Sequence, residues 1–380
     1  MAKEVVVIIV GCGPSGISTS ACLNKLSIPN VVLEREDCLA SLWKKRCYNR
    51  MRLHGLKRFS QFPHMPIPDH YPQYMSKNHF LQYVEDYAVR FKVNPLYNRD
   101  VELAVFDGSI KKWCVKVKNT CLDGFEEYVC NYLVVATGEN SDAFVPEIEG
   151  LDSFGGEVLH STKYKSGAKY VDKNVLVVGS GNSGMEIALD LANFGAKAFI
   201  IFRSPVHILS RDFLNLGFFL KKYIPLKIVD ALLAVSSKLI YGDTHKYGIS
   251  RPNEGPFSSR WSIDVGTFDK IKSGDIQVLP SLQTIRRDRV EFSNGESYQF
   301  NVIVFATGFR RSASKWLKDA EYILNENENS KLGGAKDWKG ENGLYCVGLC
   351  AKGIEEASTE AVKIADDIKT LYSESLTNSN

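Results

Sequence analysis

The apolar residues near the start of the chain form a short strand pattern that runs into a glycine-rich turn. Residues 5–10 are almost all β-branched, and after the turn apolar residues recur at helical spacing from Ile17 to Leu26. A second apolar stretch, NVVLE, then ends at Glu34. This order predicts a βαβ unit of about thirty residues.

The same order recurs near the middle of the chain. A strand that begins at Asn174 leads into a second glycine turn, an apolar helix and the strand AFIIFR at 198–203. A later apolar strand, VIVFATGF at 302–309, resembles the earlier YLVVATG at 132–138. We therefore expect the chain to leave one domain, build a second inside it, and return to the first sheet at 302–309.

The pattern elsewhere predicts segments that complete and cover these units. From Trp43 to Tyr74 the sequence shows no sustained period, which indicates an irregular segment that lines a site. The polar residues after 372 predict a frayed terminus. The other predicted elements are a helix at 77–91, an antiparallel meander at 101–106, 112–118 and 125–130, a strand at 343–348 and a helix at 355–372.

This organisation predicts an α/β protein with two nested Rossmann-like dinucleotide-binding domains. The expected boundaries are 1–168 and 302–380 for the two parts of the outer domain, and 169–301 for the inserted domain. Parallel sheets of this kind bind nucleotides where a strand ends and a helix begins.

The composition agrees with a globular chain of about two domains. Its 380 residues are 44% hydrophobic and 24% charged, and a net charge of only +3 argues against a nucleic-acid surface. Nine scattered cysteines form no disulfide framework and no C-x-x-C pair, which predicts reduced thiols in a cytoplasmic protein. The sequence has no metal-ligand spacing, so we expect no metal site.

The most apolar segment, 213–241, is interrupted by lysines and a proline, so it does not predict a membrane-spanning helix. A face that rests on a membrane, such as the cytosolic side of the endoplasmic reticulum, stays open as an alternative. The interpretation we favour is a pair of helices that pack over a substrate cavity.

The first glycine turn has the G-x-G-x-x-G spacing of a dinucleotide-binding corner. Gly11 permits the tight turn, Gly13 lets a pyrophosphate approach the backbone, and Gly16 lets helix and strand pack closely. Glu34 lies 18 residues beyond Gly16 at a strand end, where a carboxylate accepts hydrogen bonds from a ribose diol. We assign the corner to FAD, because its N-terminal position and the long covering segment suit a buried flavin. The residues assigned to FAD here are Gly11, Cys12, Gly13, Pro14, Ser15, Gly16, Glu34 and Arg35.

The second glycine turn repeats this spacing, but the strand that follows it ends in a base instead of an acid. Arg203 lies 19 residues beyond Gly184. Its guanidinium can pair with the 2′-phosphate of NADPH through charge-assisted hydrogen bonds, and a mobile surface arginine is the alternative. The residues assigned to NADPH are Gly179, Ser180, Gly181, Asn182, Ser183, Gly184 and Arg203.

Between the two turns, FGGEVLHSTKY matches the F-x-G-x-x-x-H-x-x-x-Y/F signature of the flavin-containing monooxygenases. Further segments, among them VLEREDCLASLW, RLHGLKRF, VVATGEN and RPNEGPF, resemble the plant YUCCA-type monooxygenases over nearly the whole chain. This resemblance implies the flavin-containing monooxygenase architecture and an enzyme that uses FAD, NADPH and molecular oxygen. The reaction it implies is oxidative decarboxylation of indole-3-pyruvate to indole-3-acetate, a step of auxin biosynthesis, through a flavin C4a-peroxide.

By family position, the resemblance also implies roles for single side chains. Leu42 and Trp43 fall among expected FAD contacts, although a core tryptophan explains Trp43 almost as well. His54 in RLHGLK and Asn140 in ATGEN fall near the expected flavin, where either could orient the oxygen adduct by hydrogen bonding. A packed loop histidine and a turn asparagine are the open alternatives for these two candidate catalytic residues.

Two departures from the family pattern bear on function. The chain passes from Trp261 straight to Ser262 before IDVGT, several residues shorter than the family pattern, and Glu355 and Glu356 stand where the family is basic and rich in glycine. These departures predict an altered substrate fit or weaker activity.

Three alternatives therefore stay open beside the keto-acid monooxygenase. One is a generalist monooxygenase that oxygenates soft nitrogen or sulfur atoms, and another is a flavin-binding regulatory protein without turnover. The third, a disulfide reductase, is disfavoured because the three residues between Cys346 and Cys350 fit neither spacing that such enzymes use.

Overall fold

The computed structural model describes residues 2–318, 338–349 and 353–378. The strands of these residues are β1 (Lys3–Val10), β2 (Asn30–Leu33), β3 (Arg99–Asp107), β4 (Lys112–Asn119), β5 (Gly124–Val135), β6 (Asp142–Ala143), β7 (Glu157–His160), β8 (Asn174–Val178), β9 (Lys197–Ile201), β10 (His207–Ser210), β11 (Trp261–Asp264), β12 (Ile276–Leu279), β13 (Leu282–Arg286), β14 (Arg289–Phe292), β15 (Ser297–Gln299), β16 (Val302–Phe305), β17 (Phe309–Arg310) and β18 (Leu344–Cys346). The α-helices are α1 (Pro14–Lys25), α2 (Lys77–Arg90), α3 (Asn182–Asn193), α4 (Arg211–Leu220), α5 (Leu226–Tyr241), α6 (Thr267–Lys272) and α7 (Ile354–Asn378).

The chain divides into two compact units, and the second is inserted into the first. Unit 1 comprises Met1–Lys45, Lys57–Asp142 and Phe309–Asn380, and unit 2 comprises Arg46–Leu56 and Ala143–Gly308. The main insertion therefore begins and ends at different residues from the expected 169 and 301. The limits differ because β7 and β16, which flank the expected insertion, both pair into the sheet of unit 2.

Unit 1 is built on one mixed sheet with the strand order β2-β1-β5-β4-β3, and β18 also pairs with β5. Strands β1, β2, β5 and β18 run parallel, whereas β4 pairs antiparallel with β3 and β5. The segments predicted as two strands at 125–130 and 132–138 form the single long strand β5. One half of β5 pairs with the meander and the other half with β18, so one strand joins both parts of the sheet.

Two long helices complete unit 1. Helix α1 packs against α7, which buries Ile17 and Ala21 on one side and Ala361, Ile364 and Ile368 on the other. The frayed terminus predicted after residue 372 is wrong, because α7 continues to Asn378.

Unit 2 contains a fully parallel sheet with the order β12-β9-β8-β16-β7. Its inner strands β8, β9 and β16 are buried on both faces and therefore almost continuously apolar, which is typical of a doubly wound sheet. The prediction that the strand at 302–309 returns to the first sheet is wrong. Residues 302–305 pair in parallel with β8 and β7 inside unit 2.

Unit 2 also carries smaller sheets and a pair of helices. Strands β13, β14 and β15 form an antiparallel sheet, and β10 pairs with β11 in parallel. Helices α4 and α5 pack on each other through a small core that includes Leu214, Val229 and Leu233. Within the described residues, no helix combines the length and apolar character needed to cross a bilayer.

Candidate functional site

The first glycine corner joins β1 to α1 and leaves an open backbone surface at the helix start. Gly11 has a φ of +106°, and a Cβ there would lie 2.6 Å from the carbonyl oxygen of Ala136. A Cβ on Gly16 would overlap the carbonyl oxygen of Gly11, whereas a Cβ on Gly13 would meet nothing within 4 Å. The corner is therefore closed on the protein side and open at Gly13, as a pyrophosphate cradle requires.

Helix α1 starts without a side-chain cap at Gly13, so its first N–H groups are available to an anion. Beside it, Glu34 is only 5% exposed, and its carboxylate accepts hydrogen bonds from the N–H groups of Cys12 (2.7 Å) and Glu36 (3.0 Å). Burial raises the pKa of Glu34 despite these bonds. The acid predicted at the end of β2 thus touches the glycine corner itself, where a ribose diol would donate to it.

The other residues assigned to FAD have different surroundings. Arg35 donates to the carbonyl oxygen of Ser141 (2.8 Å) and pairs with Asp142 (3.3 Å), so its guanidinium is held within unit 1. Trp43 and Leu42 are half-buried, and the Trp43 ring lies 4.5 Å from that of Phe80 on α2. This contact fits the alternative of a packed tryptophan as well as a cofactor contact.

The remaining first-corner residues lie where helix α1 meets the C-terminal part of unit 1. Cys12 is buried, and burial raises the pKa of its thiol. The Ser15 side chain lies against Gly348, whose N–H donates to Glu360 (2.8 Å). Asn140, from the same unit, is exposed and makes no hydrogen bond to another described residue.

The second glycine corner repeats the first in detail. Gly179 has a φ of +116°, and a Cβ there would lie 2.5 Å from the carbonyl oxygen of Ala306. A Cβ on Gly184 would overlap the Gly179 carbonyl oxygen, and a Cβ on Gly181 would meet nothing within 4 Å. Helix α3 likewise starts without a side-chain cap. The two ATG segments resemble each other because Ala136 and Ala306 close equivalent corners.

Two residues of the second corner form hydrogen bonds with residues of β11. The side chain of Asn182 accepts a hydrogen bond from the N–H of Ile263 (2.9 Å), and the hydroxyl of Ser262 donates to the carbonyl oxygen of Ser180 (2.5 Å). The segment that is shorter than the family pattern therefore still fastens the start of α3. Arg203, two residues beyond β9, is exposed and pairs with no acid in the described parts of the chain.

Comparison with known proteins decides the family. A family model described as flavin-binding monooxygenase-like matches residues 2–330. The chain belongs to this family. A relative named probable indole-3-pyruvate monooxygenase YUCCA10 from Arabidopsis thaliana is 48% identical over 375 residues, which covers 97% of this chain and 98% of the relative. The indole-3-pyruvate monooxygenase YUCCA6 of the same plant is 43% identical, covering 95% and 89%.

Solved structures of low sequence identity share the fold of this monooxygenase. The flavin-containing monooxygenase from Stenotrophomonas maltophilia has a TM-score of 0.72 at 18% identity, covering 97% of this chain and 99% of that chain. The OTEMO complex with FAD and NADP has a TM-score of 0.79 at 16% identity, covering 99% and 87%. Together with the family match, these structures confirm the predicted α/β fold class and a flavin-dependent oxidoreductase.

In this monooxygenase, His54 lies beside the second corner's helix. Its Nε2 is 3.6 Å from Glu186 Oε1 on α3, and neither Glu186 Oε1 nor His54 Nδ1 has a hydrogen-bond partner among the described residues. Burial lowers the pKa of His54 to about 4 and raises the pKa of Glu186 to about 7. Both groups are therefore uncharged in mildly acidic solution, because burial disfavours the charged form of each.

The segment around His54 supplies residues that the sequence interpretation missed. The hydroxyl of buried Tyr48 hydrogen-bonds to Glu186 and to Ser183 in the first turn of α3. Arg50 lies 3.9 Å from Asp190, one turn further along the helix. The only sequence signal was the position of Glu186 and Asp190, whose carboxylates fall four residues apart on an otherwise apolar helix and so require polar partners.

The signature histidine and the signature tyrosine hold unit 2 together. His160 Nε2 lies 3.0 Å from the carbonyl oxygen of Gly308, the glycine of the second ATG. Buried Tyr164 donates to Asp190 (2.7 Å), which also accepts from the N–H of Gly167 (2.8 Å). These contacts give Tyr164 a structural role beside α3 and His160 one beside the turn that follows β16. Of the cysteine pair weighed for a reductase, Cys346 is buried in β18 and Cys350 lies outside the described residues.

Proposed function

We propose that this monooxygenase uses FAD, NADPH and molecular oxygen to convert indole-3-pyruvate to indole-3-acetate. The proposal that two different dinucleotides bind rests on two glycine corners of the same construction. An acid follows the corner of unit 1, and a base follows the corner of unit 2. The names of relatives that are 41–48% identical over nearly the full length support the substrate. Among these, the rice relative is named indole-3-pyruvate monooxygenase YUCCA1.

The corners divide the binding work between the units. In unit 1, the backbone at Gly13 and the start of α1 would hold the pyrophosphate of FAD, and Glu34 would accept from its ribose. In unit 2, the backbone at Gly181 would hold the pyrophosphate of NADPH, and Arg203 would pair with its 2′-phosphate. When bound, the flavin takes a hydride from the nicotinamide and supplies the oxygen chemistry.

The balance of the proposed reaction is that of an oxidative decarboxylation. One oxygen atom of O₂ enters the carboxylate of the product, and the bond between the ketone carbon and the substrate carboxylate breaks to release carbon dioxide. The second oxygen atom leaves as water, and NADPH with one proton supplies the two electrons and the hydrogens. The polypeptide needs no acid or base pair of its own for bond cleavage, and its residues position the reactants and exclude water.

We propose different roles for the two candidate catalytic residues, with Asn140 acting near the reacting groups. The exposed amide of Asn140 can donate to an oxygen atom, so its removal should lower kcat with little change in flavin content. His54 faces Glu186, and we propose that it acts as a positioning residue for α3. For His54→Gln we therefore expect a higher KM for NADPH at a similar kcat.

The experiment that tests the function compares three substrates with one flavin-loaded preparation. NADPH and oxygen consumption are followed with indole-3-pyruvate, phenylpyruvate and a tertiary amine, and products are identified by mass spectrometry. Keto acids should yield acids one carbon shorter. An amine oxide formed without any decarboxylation would overturn the substrate, and a colourless protein that takes up no FAD would overturn the cofactor.

We also propose a cytoplasmic location. Cys121 is an exposed free thiol, which is typical of proteins kept in a reducing compartment. Localisation of a fluorescent fusion in plant cells tests this proposal, and secretion of the fusion would contradict it.

A further inference from the structure

Helix α5 carries two apolar faces, although a helix on the surface of a globular domain usually needs one. Its inner face buries Val229, Leu233 and Tyr241 against the rest of unit 2. On the opposite side, at helical spacing, Ile228, Leu232, Val235 and Leu239 form an outer face, and all four are more than half exposed. Leu239 reaches 81%. The fold of unit 2 gives this outer face no partner within the described residues.

Exposed apolar side chains also lie on α4 and on the turn between the helices. Leu216 is 48% exposed and Tyr223 is 73% exposed. Among the described residues, 21 large apolar side chains are exposed, and ten of them lie between 213 and 240. Single exposed apolar residues are ordinary, but a concentration of this kind marks an interaction surface.

The charges around this surface are mostly basic. Lys221, Lys222, Lys227 and Lys238 are all exposed. The acids of the two helices are Asp212, which is exposed, and Asp230, which is buried and accepts hydrogen bonds from the N–H of Phe257 (2.6 Å) and the hydroxyl of Ser258 (2.7 Å). The exposed charge of the pair is therefore positive, which suits an anionic partner.

A third side of α5 lines a cleft of about 720 Å³ within unit 2. Lys227, Ala231, Ala234 and Lys238, which recur at helical spacing along α5, all belong to its lining. His207 also lines the cleft and is 3% exposed. Its Nε2 donates to the carbonyl oxygen of Glu254, and its Nδ1 has no partner in the described structure. The cleft therefore presents lysine and histidine side chains beside a helix that also carries the outer apolar face.

We propose that helices α4 and α5 dock this monooxygenase onto the surface of an anionic phospholipid membrane. Apolar side chains enter the interface, lysines at their edges meet the headgroup phosphates, and aromatic Tyr223 lies at the level of the headgroups. The 16 residues of α5 span about 24 Å, less than the ~30 Å of a bilayer core, so the helices lie on the membrane and do not cross it. The sequence pattern alone favoured packing over a cavity, and the exposure of the outer face is the ground for proposing the membrane alternative.

The test is co-sedimentation of the flavin-loaded protein with vesicles of phosphatidylcholine, with and without phosphatidylserine. We expect binding to the vesicles that contain phosphatidylserine, weakened by added salt. Leu232→Glu with Leu239→Glu should lower the bound fraction at least about tenfold, because two carboxylates would enter the interface. Lys227→Glu with Lys238→Glu should lower binding to phosphatidylserine vesicles selectively.

The matched control is Val89→Glu with Leu122→Glu, which changes two exposed apolar residues of unit 1 and should leave vesicle binding unaltered. Flavin content and NADPH oxidation report that each variant is folded. Failure of the wild-type protein to bind phosphatidylserine vesicles would overturn the proposal, as would equal loss in the control. A double-leucine variant that binds vesicles normally but loses self-association in light scattering would instead assign the outer face to a second copy of the chain.

Discussion

Glu34 and Arg203 occupy corresponding places after the second strand of each βαβ unit and carry opposite charges. Glu34 directly follows β2 and is fixed by two backbone N–H groups, whereas Arg203 lies two residues beyond β9 on the surface. A carboxylate accepts from ribose hydroxyls and repels a 2′-phosphate, and a guanidinium does the reverse. We infer that one side chain in each unit selects the dinucleotide.

Arg203→Ala tests this selection. We expect the KM for NADPH to rise roughly 10- to 100-fold, because a charge-assisted hydrogen bond contributes about 1.5–3 kcal/mol. The KM for NADH should hardly change, because NADH has no 2′-phosphate. Steady-state kinetics with both cofactors measure the difference. The control for the loss of one positive charge is Arg286→Ala, which changes an exposed arginine of β13. If Arg203→Ala raised the KM for NADPH and the KM for NADH equally, Arg203 would not bind the 2′-phosphate.

Glu186 predicts a pH dependence of stability. Its pKa is raised from 4.5 to about 7 in the folded protein, so between these values the folded state holds a proton that the unfolded state has lost. The contribution of Glu186 to the free energy of unfolding therefore falls as the pH rises from about 4.5 to 7. This loss of stability is complete above that range. His54 acts in the opposite direction between pH 4 and 6.5, because its pKa is lowered to about 4.

Glu186→Gln isolates the contribution of the carboxyl group. We expect the variant to match the wild type near pH 4.5 and to exceed it by about 3 kcal/mol above pH 7, because glutamine carries no charge to bury. Urea unfolding across this pH range measures the difference. Glu127→Gln, at an exposed position in β5, should show no such trend. A difference that stays constant with pH would contradict the assignment.

At the scale of elements, the sequence predicted both glycine corners correctly because their requirements are local. The G-x-G-x-x-G spacing, the buried strands on each side and the charge at the next strand end all lie within about thirty residues. The strands that pair with residues 302–305 are not local, because β7 and β8 lie more than a hundred positions earlier in the sequence. A strand buried on both faces has no polar side to reveal its neighbours, and its ATG matches the first ATG only because Ala306 closes a second corner as Ala136 closes the first.

The glycines of each corner should separate binding from folding. Gly13→Ala adds a Cβ into open space, so the variant should fold normally, but the same Cβ would occupy the approach of the pyrophosphate. We expect its thermal stability without cofactor to match the wild type, and its affinity for FAD to fall at least about tenfold. Gly16→Ala should instead be destabilised even without cofactor, because its Cβ overlaps the Gly11 carbonyl oxygen.

The corresponding change in unit 2 is the matched control. Gly181→Ala should retain flavin, visible in its absorbance, and raise the KM for NADPH alone. Loss of flavin from Gly181→Ala, or unchanged FAD affinity in Gly13→Ala, would contradict the division of the two cofactors between the corners.

At the scale of the whole molecule, the least predictable feature is the segment Arg46–Leu56. It lies in sequence within unit 1 but belongs to unit 2, where the side chain of Asn215 joins the backbone of His54 and Leu56. The sequence indicated an irregular segment that lines a site, and it could not indicate which unit the segment joins. Its contacts are made to residues more than a hundred positions away, and no periodic pattern records them.

Changes in this segment should therefore affect the binding of NADPH and not the binding of FAD. Tyr48 hydrogen-bonds to Ser183 in the first turn of α3, next to the open backbone at Gly181. We expect Tyr48→Phe to raise the KM for NADPH roughly fivefold, because a net hydrogen bond contributes about 1 kcal/mol, and to leave flavin content unchanged. Steady-state kinetics and the flavin absorbance of the purified variant measure both quantities. Tyr71→Phe is the control, because Tyr71 lies in the same irregular stretch of sequence but in unit 1, and it should leave the KM for NADPH unaltered. If Tyr48→Phe loses flavin while the KM for NADPH stays at its wild-type value, the segment serves the first corner and its assignment to the second is wrong.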